Sequence, residues 1–254
     1  MNKLSQQEIR LSKELIKFSL MHASPIYFGN PNNEDGKVNN GTVTLITHNG
    51  KKYGVTNHHV IDAFRKRFED EDINLYIGNQ LIDLDKIVID ENEKLDLCTL
   101  SLDEYEDGKI KSYGEVPTHY FDVGEFSIGE LKQGDFVLFG GYPGAWRSQP
   151  EKNELIFDTL SSGGTKVSDV TDSNIVCVLA VEKCVVTLNF RDELPDNLGG
   201  ISGGPVFCHE VSEGGISTFR LVGVIYEYTE AYDALLIRPI SLLSNDMSIV
   251  ENDI

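Results

Sequence analysis

Between residues 41 and 237 the chain is a succession of short β-prone runs, each soon stopped by Gly, Asn, Pro or Asp. Runs at 42–47 and 52–56 flank Asn49-Gly50, the strongest short-range hairpin signal, because both residues tolerate the positive φ of a tight turn. Further strands are expected at 73–77, 82–89 and 95–102, with a short helix over 61–68. A polar, Gly-containing stretch at 103–118 reads as the connection to a second group, at 135–140, 154–160, 174–181, 184–190, 205–210, 218–228 and 234–237. Strands at such even spacing point to sandwiches or barrels rather than βαβ units. Two comparable groups suit two barrels. The expected division is an N-terminal helix and loop (1–40), a first barrel (41–118) and a second barrel with a short tail (119–254).

Ahead of the strands, Leu4, Ile9, Leu11, Leu15, Ile16 and Phe18 recur at roughly helical spacing among Lys, Glu and Gln. Ser5 and Glu8 form a candidate capping box at the start of that helix. Its mixed charges mark an element that packs on the protein rather than a membrane anchor. Residues 29–40 read as loop, and the tail from Ser241 as a weak alternation fraying into acidic residues.

A chain of 254 residues can bury a sizeable core. Its formal net charge of −19 argues against nucleic acid or an anionic membrane as a partner, and weakly favours a substrate carrying Lys or Arg. Cys98, Cys177, Cys184 and Cys208 show no C-x-x-C pair and lie in apolar runs. They read as buried reduced thiols or, the count being even, as two disulfides. No basic-then-apolar leader and no membrane-length apolar run is present, so a cytoplasmic, reducing location is the expectation. Asn40-Gly41-Thr42 matches a glycosylation acceptor that carries no meaning in such a compartment.

Three stretches carry chemistry. Gly199-Gly200-Ile201-Ser202-Gly203-Gly204-Pro205 sets a serine between glycines, where the backbone can turn tightly and its amides can converge. A Ser hydroxyl is a weak nucleophile until a base takes its proton, and converging N–H groups stabilise a developing oxyanion. The bland reading is a glycine-rich turn. Thr56-Asn57-His58-His59-Val60 ends the second strand of the hairpin; adjacent histidines on a strand end point to opposite faces, so at most one can face the serine. Leu95-Asp96-Leu97-Cys98 places a carboxylate at the head of an apolar run, where partial burial demands a hydrogen-bond partner such as an imidazole. Asp83, Asp85 and Asp90, close by, read as ordinary surface acids.

The histidine stretch resembles the T-[AN]-x-H-[VC] motif of trypsin-like serine peptidases. Leu95-Asp96-Leu97-Cys98 resembles their aspartate motif, and Gly200-Ile201-Ser202-Gly203-Gly204-Pro205 their G-[DN]-S-G-G-P serine motif. The order His, Asp, Ser is that of the chymotrypsin fold. Phe139-Gly140-Gly141-Tyr142-Pro143-Gly144 is similar to a segment of bacterial members. The resemblance covers residues 41 to 238. It implies an all-β fold of two six-stranded antiparallel barrels, preceded here by the N-terminal helix. It also implies endopeptidase activity on protein or peptide substrates without cofactor or metal. The implied roles are His59 as base (His58 takes the variable slot), Asp96 as its orienting acid, Ser202 as nucleophile, and the amides of Gly200 and Ser202 as oxyanion hole.

One departure matters. Ile201 stands where relatives carry the Asp or Asn that, in zymogen types, pairs with a newly cut N-terminus. Activation by that route is therefore not expected, and latency until an activating protein partner or substrate binds is the expectation to test. For specificity, Asp196 lies six residues before Ser202, the spacing of the pocket-base carboxylate in trypsin-like relatives. Tyr226, Glu227 and Tyr228 resemble the strand that lines that pocket, so cleavage after Lys or Arg is implied. The plain alternative is a solvated polar loop over 191–197.

Other readings are weaker. Gly200-Ile201-Ser202-Gly203-Gly204 also spells the nucleophile elbow of α/β-hydrolases, but only His209 follows, and helices do not alternate with the strands. No metal-ligand spacing such as H-E-x-x-H appears. Gly163-Gly164-Thr165-Lys166 lacks a P-loop's length and reads as a turn. A catalytically silent barrel pair, used as a protein-binding or sensing module, is the alternative from a different class.

Overall fold

The computed structural model describes residues 14–15, 17–29, 37–105, 118–151, 154–179, 185–186, 197–211 and 214–251. The first sheet comprises β1 (Ala23–Phe28), β2 (Asn39–His48), β3 (Lys51–Thr56), β4 (Leu75–Ile77), β5 (Gln80–Ile82), β6 (Val88–Asn92) and β7 (Leu97–Ser101), in the order β5-β4-β1-β2-β3-β7-β6. A short parallel strand, β8 (Phe121–Asp122), adds to β2. After β9 (Phe136–Gly141) comes a separate hairpin, β10 (Arg147–Glu151) with β11 (Glu154–Phe157). The second sheet runs β13-β17-β16-β15-β9-β12-β14, from β12 (Leu160–Val170), β13 (Ile175–Val178), β14 (Val185–Val186), β15 (Pro205–Val211), β16 (Ser217–Thr229) and β17 (Ala234–Pro239). A further pairing of β12 with β13 closes six of these strands into a barrel. The expected all-β, chymotrypsin-like double-barrel arrangement is present; its second sheet closes, while the first curls into a half-barrel.

Closure depends on β12, which pairs with β9 through its first half and with β13 through its second. The expected turn at Gly163-Gly164 is instead a bulge inside this strand, where the register with β9 shifts between Ser162 and Thr165. Glycines within a strand mark such sites because a bulge bends the strand and needs backbone freedom. A second register shift, against β13 between Val167 and Asp169, continues the curl.

Two other segments depart from expectation. Residues 82–89 are not one strand: β5 ends at Ile82, a helical turn spans Leu84–Ile87, and β6 follows. Leu84 and Ile87 are buried three residues apart, the spacing of a helix face rather than of a strand. Ala23–Phe28 forms β1 within the first sheet, so that sheet reaches beyond residues 41–118. Pro25 cannot donate to a ladder. It is tolerated because the pairing with β4 begins only at Ile26.

Each sheet has its own core. Ile26, Val43, Leu45, Ile61, Leu75 and Leu100 anchor the first; Phe139, Leu160, Ile175, Val206, Ile225 and Leu235 anchor the barrel. A third cluster fills the seam, drawing Ile46, Val55 and Leu97 from one side and Phe207, Leu221 and Val224 from the other. From Ser241 to Glu251 the tail packs on the protein; residues 252–254 lie outside the described residues. Leu242, Leu243 and Met247 are buried in this seam, and the Ile249 amide donates to Asp90 Oδ2 at 2.7 Å.

At the other end, residues 14–15 and 17–21 are helical, with Leu20 buried and Phe18 stacked on Phe219 at 3.8 Å. This is a pack-on element as expected; Ser5 and Glu8 lie outside the described residues. Among the described residues no helix is long and apolar enough to cross a membrane. Cys98, Cys177 and Cys208 are free thiols, and burial pushes Cys98 and Cys177 up to about 12; Cys184 lies outside the described residues.

Candidate active site

The strand carrying the histidines ends at Thr56, and His58 and His59 open a helix, His58–Phe68, rather than ending a strand. Val60, Ile61 and Phe64 bury its inner face, while Arg65, Lys66 and Arg67 sit at its C-terminal end, where the backbone dipole favours cations. Its N-terminal cap, Asn57, makes no side-chain capping bond, and the first turn holds no acid of its own. Asp96 supplies both from across the sheet. Its Oδ1 accepts the His59 backbone N–H at 2.8 Å, and its Oδ2 lies 2.7 Å from His59 Nδ1.

A carboxylate only accepts hydrogen bonds, so the shared proton belongs on Nδ1. Nε2 of neutral His59 is then left with a lone pair, as a base requires. Asp96 meets the histidine from a left-handed backbone, φ +52, in the turn before β7. Asn57, fully buried, donates from Nδ2 to the Asp96 carbonyl at 2.8 Å.

Ser202 lies in the barrel half, in two successive four-residue turns. The Ile201 N–H returns to the Leu198 carbonyl (3.2 Å), and the Gly204 N–H to that of Ile201 (2.9 Å). The third residue of each turn is a glycine at positive φ, Gly200 at +101 and Gly203 at +89, as a type II turn requires. A Cβ on Gly200 would lie 2.6 Å from the Tyr142 carbonyl, and one on Gly203 only 1.9 Å from that of Thr42.

The turn geometry decides where the amides point. The Gly199 carbonyl accepts the Gly144 N–H at 2.7 Å, so the Gly200 N–H, across the same trans peptide, points the opposite way. The same relation holds for Ser202, whose N–H is opposed to the Ile201 carbonyl engaged by Gly204. Among the described residues the N–H groups of Gly200 and Ser202 make no hydrogen bond, whereas those of Gly199, Ile201, Gly203 and Gly204 all do.

The turn is fastened from behind by the first sheet. Thr42 donates its backbone N–H to the Ser202 carbonyl and its hydroxyl to the Gly200 carbonyl, both at 2.8 Å. Thr42 Oγ1 also accepts the Tyr142 N–H, and Thr44 Oγ1 donates to the Gly203 carbonyl. Ile201 is 1% exposed, packed into the barrel core with Leu198 and Phe139. A hydrophobic side chain thus anchors the position where an ion pair was the alternative.

His59, Asp96 and Ser202 line one cleft of 360 Å³, together with Asn197, Leu198, Gly199, Ile201 and Tyr226–Tyr228. No hydrogen bond joins His59 to Ser202. Such contacts are commonly long in unoccupied sites and tighten only with substrate in place. Of the residues expected to set specificity, Tyr226, Glu227 and Tyr228 line this cleft, with Glu227 exposed. Burial raises the Tyr226 phenol above its ordinary range against the lowering effect of Arg238, with Glu227 and Asp96 adding to the rise. Asp196 lies outside the described residues. Among the described residues no three His, Cys, Asp or Glu side chains cluster to hold a metal ion. A second cavity, of 430 Å³, lies between residues 121–129 and β15–β16 and holds neither a histidine nor a cysteine.

Sequence reading missed Thr42, Thr44, Asn57 and Arg238. Asn57 stood inside the histidine motif, and Arg238 is a lone charge in the apolar run 234–237 and Pro239, a signal that a buried partner awaits it. The threonines gave no signal, because their partners are backbone carbonyls far away in the chain.

No protein-family model matches the chain. Myosin-1 of Mycosarcoma maydis is 28% identical over 123 residues, 46% of this chain and 9% of its own length. Myosin-1 of Aspergillus clavatus is 28% identical over 117 residues, 45% of this chain and 9% of its own. The chain spans under a tenth of the curated relatives it matches, and these partial likenesses show no family. Among solved structures, the active form of the Rv3671c protease from M. tuberculosis superposes over 94% of this chain and 88% of its own, at 15% identity and TM-score 0.46. The serine endoprotease from Yersinia pestis covers 95% and 65%, at 14% and 0.48. Deg5 covers 94% and 92%, at 14% and 0.44. The fold assignment stands on the strand order described above.

Proposed function

We propose that the chain is a serine endopeptidase acting through His59, Asp96 and Ser202. The observation that carries this reading is the pair of unpaired N–H groups at Gly200 and Ser202, in one cleft with a serine and a histidine whose Nδ1 is already committed to a carboxylate. His59 Nε2 would take the Ser202 proton as Oγ attacks the scissile carbonyl, and would return it to the leaving amine. Asp96 keeps the imidazole in the required tautomer and stabilises its protonated form. The two free amides would receive the oxyanion, each donor being worth about 3 kcal/mol of barrier. Water, activated by the same histidine, then releases the acyl group.

The substrate would bind as an added strand. β16 pairs with β15 only as far as Val224 but with β17 through Thr229, and among the described residues no strand continues β15 alongside Tyr226 and Glu227 at the cleft. Glu227 at the cleft, and Asp196 through its spacing from Ser202 in the sequence, support a preference for Lys or Arg at the cleaved residue. A peptide library without basic preference would remove that part of the reading. The Thr42 hydrogen bonds and the buried Ile201 support a turn that stands without an activating cut. Turnover of a general protein substrate by the isolated chain is then expected; activity only after adding a cell extract would instead point to an activating partner.

The second reading is a silent barrel pair that binds or senses protein, for which Ile201, in place of the usual Asp or Asn before the serine, leaves room. A fluorophosphonate probe separates the two. Labelling that vanishes in Ser202→Ala supports the peptidase; no labelling of the wild type under any condition supports the module.

A further inference from the structure

Arg238, on β17, belongs to the barrel, yet its Nε donates to the Leu95 carbonyl in the first sheet at 2.6 Å. Its Nη1 donates to the Ser173 carbonyl (3.1 Å) and to Asn174 Oδ1 (2.6 Å). The guanidinium carbon lies 3.9 Å from the centre of the Tyr226 ring, and the Tyr226 hydroxyl donates to the same Asn174 oxygen at 3.0 Å. A planar fork of donors can hold acceptors in several fixed directions while one face stacks on an aromatic ring. A lysine ammonium cannot do both.

The carbonyl it grips is the one immediately before Asp96. The φ of Asp96 is set by the peptide on its N-terminal side relative to its own carbonyl. That peptide is held at its oxygen by Arg238 and at its N–H by the Glu93 carbonyl (3.2 Å). The Asp96 carbonyl is held by Asn57. Asp enters the left-handed region more readily than most side chains, and here the peptides on both sides of it are fixed by hydrogen bonds.

We infer that Arg238 is a positioning residue. From across the seam it keeps Asp96 in the left-handed conformation that brings both carboxylate oxygens onto His59, and its stack on Tyr226 ties that arrangement to the cleft lining. The inference rests on the peptidase reading above for its kinetic consequence, not for its geometry.

The test uses the full chain and three measurements on Arg238→Ala and Arg238→Lys. The first is kcat and KM on a peptide substrate, alongside the rate of fluorophosphonate labelling of Ser202. Both variants are expected to lose kcat, Arg238→Ala by about a hundredfold and Arg238→Lys by about tenfold, with KM nearly unchanged, since small misplacements of catalytic groups cost this much. The second is the low-field proton signal of the His59 Nδ1–H, identified by its absence in His59→Gln, which is expected to broaden or vanish in both variants. The third is rescue: ethylguanidinium should restore part of kcat to Arg238→Ala and nothing to the wild type.

If Arg238→Ala fails to fold, Arg238→Lys carries the test. Wild-type kcat together with an intact His59 signal in a folded variant would overturn the inference. Should the wild type never react at Ser202, the peptidase reading falls separately; the His59 signal then decides the positioning role, and its persistence in Arg238→Lys overturns it.

Discussion

In the first sheet, His59 and Asp96 are held by side-chain hydrogen bonds, from each other, from Asn57 and from Arg238 across the seam. In the closed barrel, Ser202 is held mainly by backbone turns, glycine conformations and the packing of Ile201 and Leu198, with Thr42 and Thr44 of the first sheet fastening the turn from behind. The barrel's ladder returns on itself through β12 and β13. The open sheet has no such closure; it is braced by the C-terminal segment through Asp90, while the N-terminal helix bridges the halves, with Phe18 against Phe121 of the first sheet and Phe207 and Phe219 of the barrel. The difference teaches where each half is vulnerable. The first should lose function through single polar atoms, the second through shape.

The sharpest way to break that contrast is Asp96→Asn. An amide in place of the carboxylate favours the wrong imidazole tautomer, so kcat is expected to fall by about 10³–10⁴-fold while the fold persists. Circular dichroism and steady-state kinetics check both halves of that statement. Gly203→Ala is the counterpart in the barrel. Its Cβ would lie 1.9 Å from the Thr42 carbonyl at a φ that side chains rarely adopt. Unfolding free energy in urea is expected to drop by more than about 3 kcal/mol, a stability loss that Asp96→Asn should not match.

The brace can be tested through His22, 6% exposed among Phe18, Phe121 and Phe207, with Nδ1 2.9 Å from the His119 carbonyl. Burial lowers its pKa from 6.5 to about 4. The folded state therefore stays neutral where the unfolded chain takes up a proton. The resulting stability is fully present above about pH 6.5 and is lost as pH falls toward 4, by about 3 kcal/mol in all. Comparing the pH dependence of unfolding in wild type and His22→Phe isolates this contribution; equal slopes between pH 6.5 and 4 would remove it. The smallest effect is expected from Thr42→Val, which keeps the shape but strands the Gly200 carbonyl and the Tyr142 N–H. A cost of about 1–3 kcal/mol, seen as a lower labelling rate at Ser202 or a lower melting temperature, would show that the first sheet secures the barrel's turn.

Much of the strand pattern was legible because period-2 runs and turn residues are local properties. Asn49-Gly50, both at positive φ, marked its hairpin without ambiguity. The misreadings share one cause. Gly163-Gly164 looks like a breaker in isolation, yet it bulges within a strand that pairs with β9 on one edge and with β14 and β13 on the other. His59 looked like a strand end because its helix takes its N-terminal carboxylate from Asp96, which lies 37 residues away.

By itself, the amino-acid sequence determined the all-β class, the three stretches that line the cleft and the glycines around Ser202, since each follows from side-chain size, polarity or backbone freedom over a few residues. Only the tertiary structure decided that one sheet closes and the other does not, that Ile201 anchors the turn by burial, and that Thr42, Asn57 and Arg238 hold the parts in place. Those depend on hydrogen bonds and packing between residues distant in the chain, which no local pattern encodes.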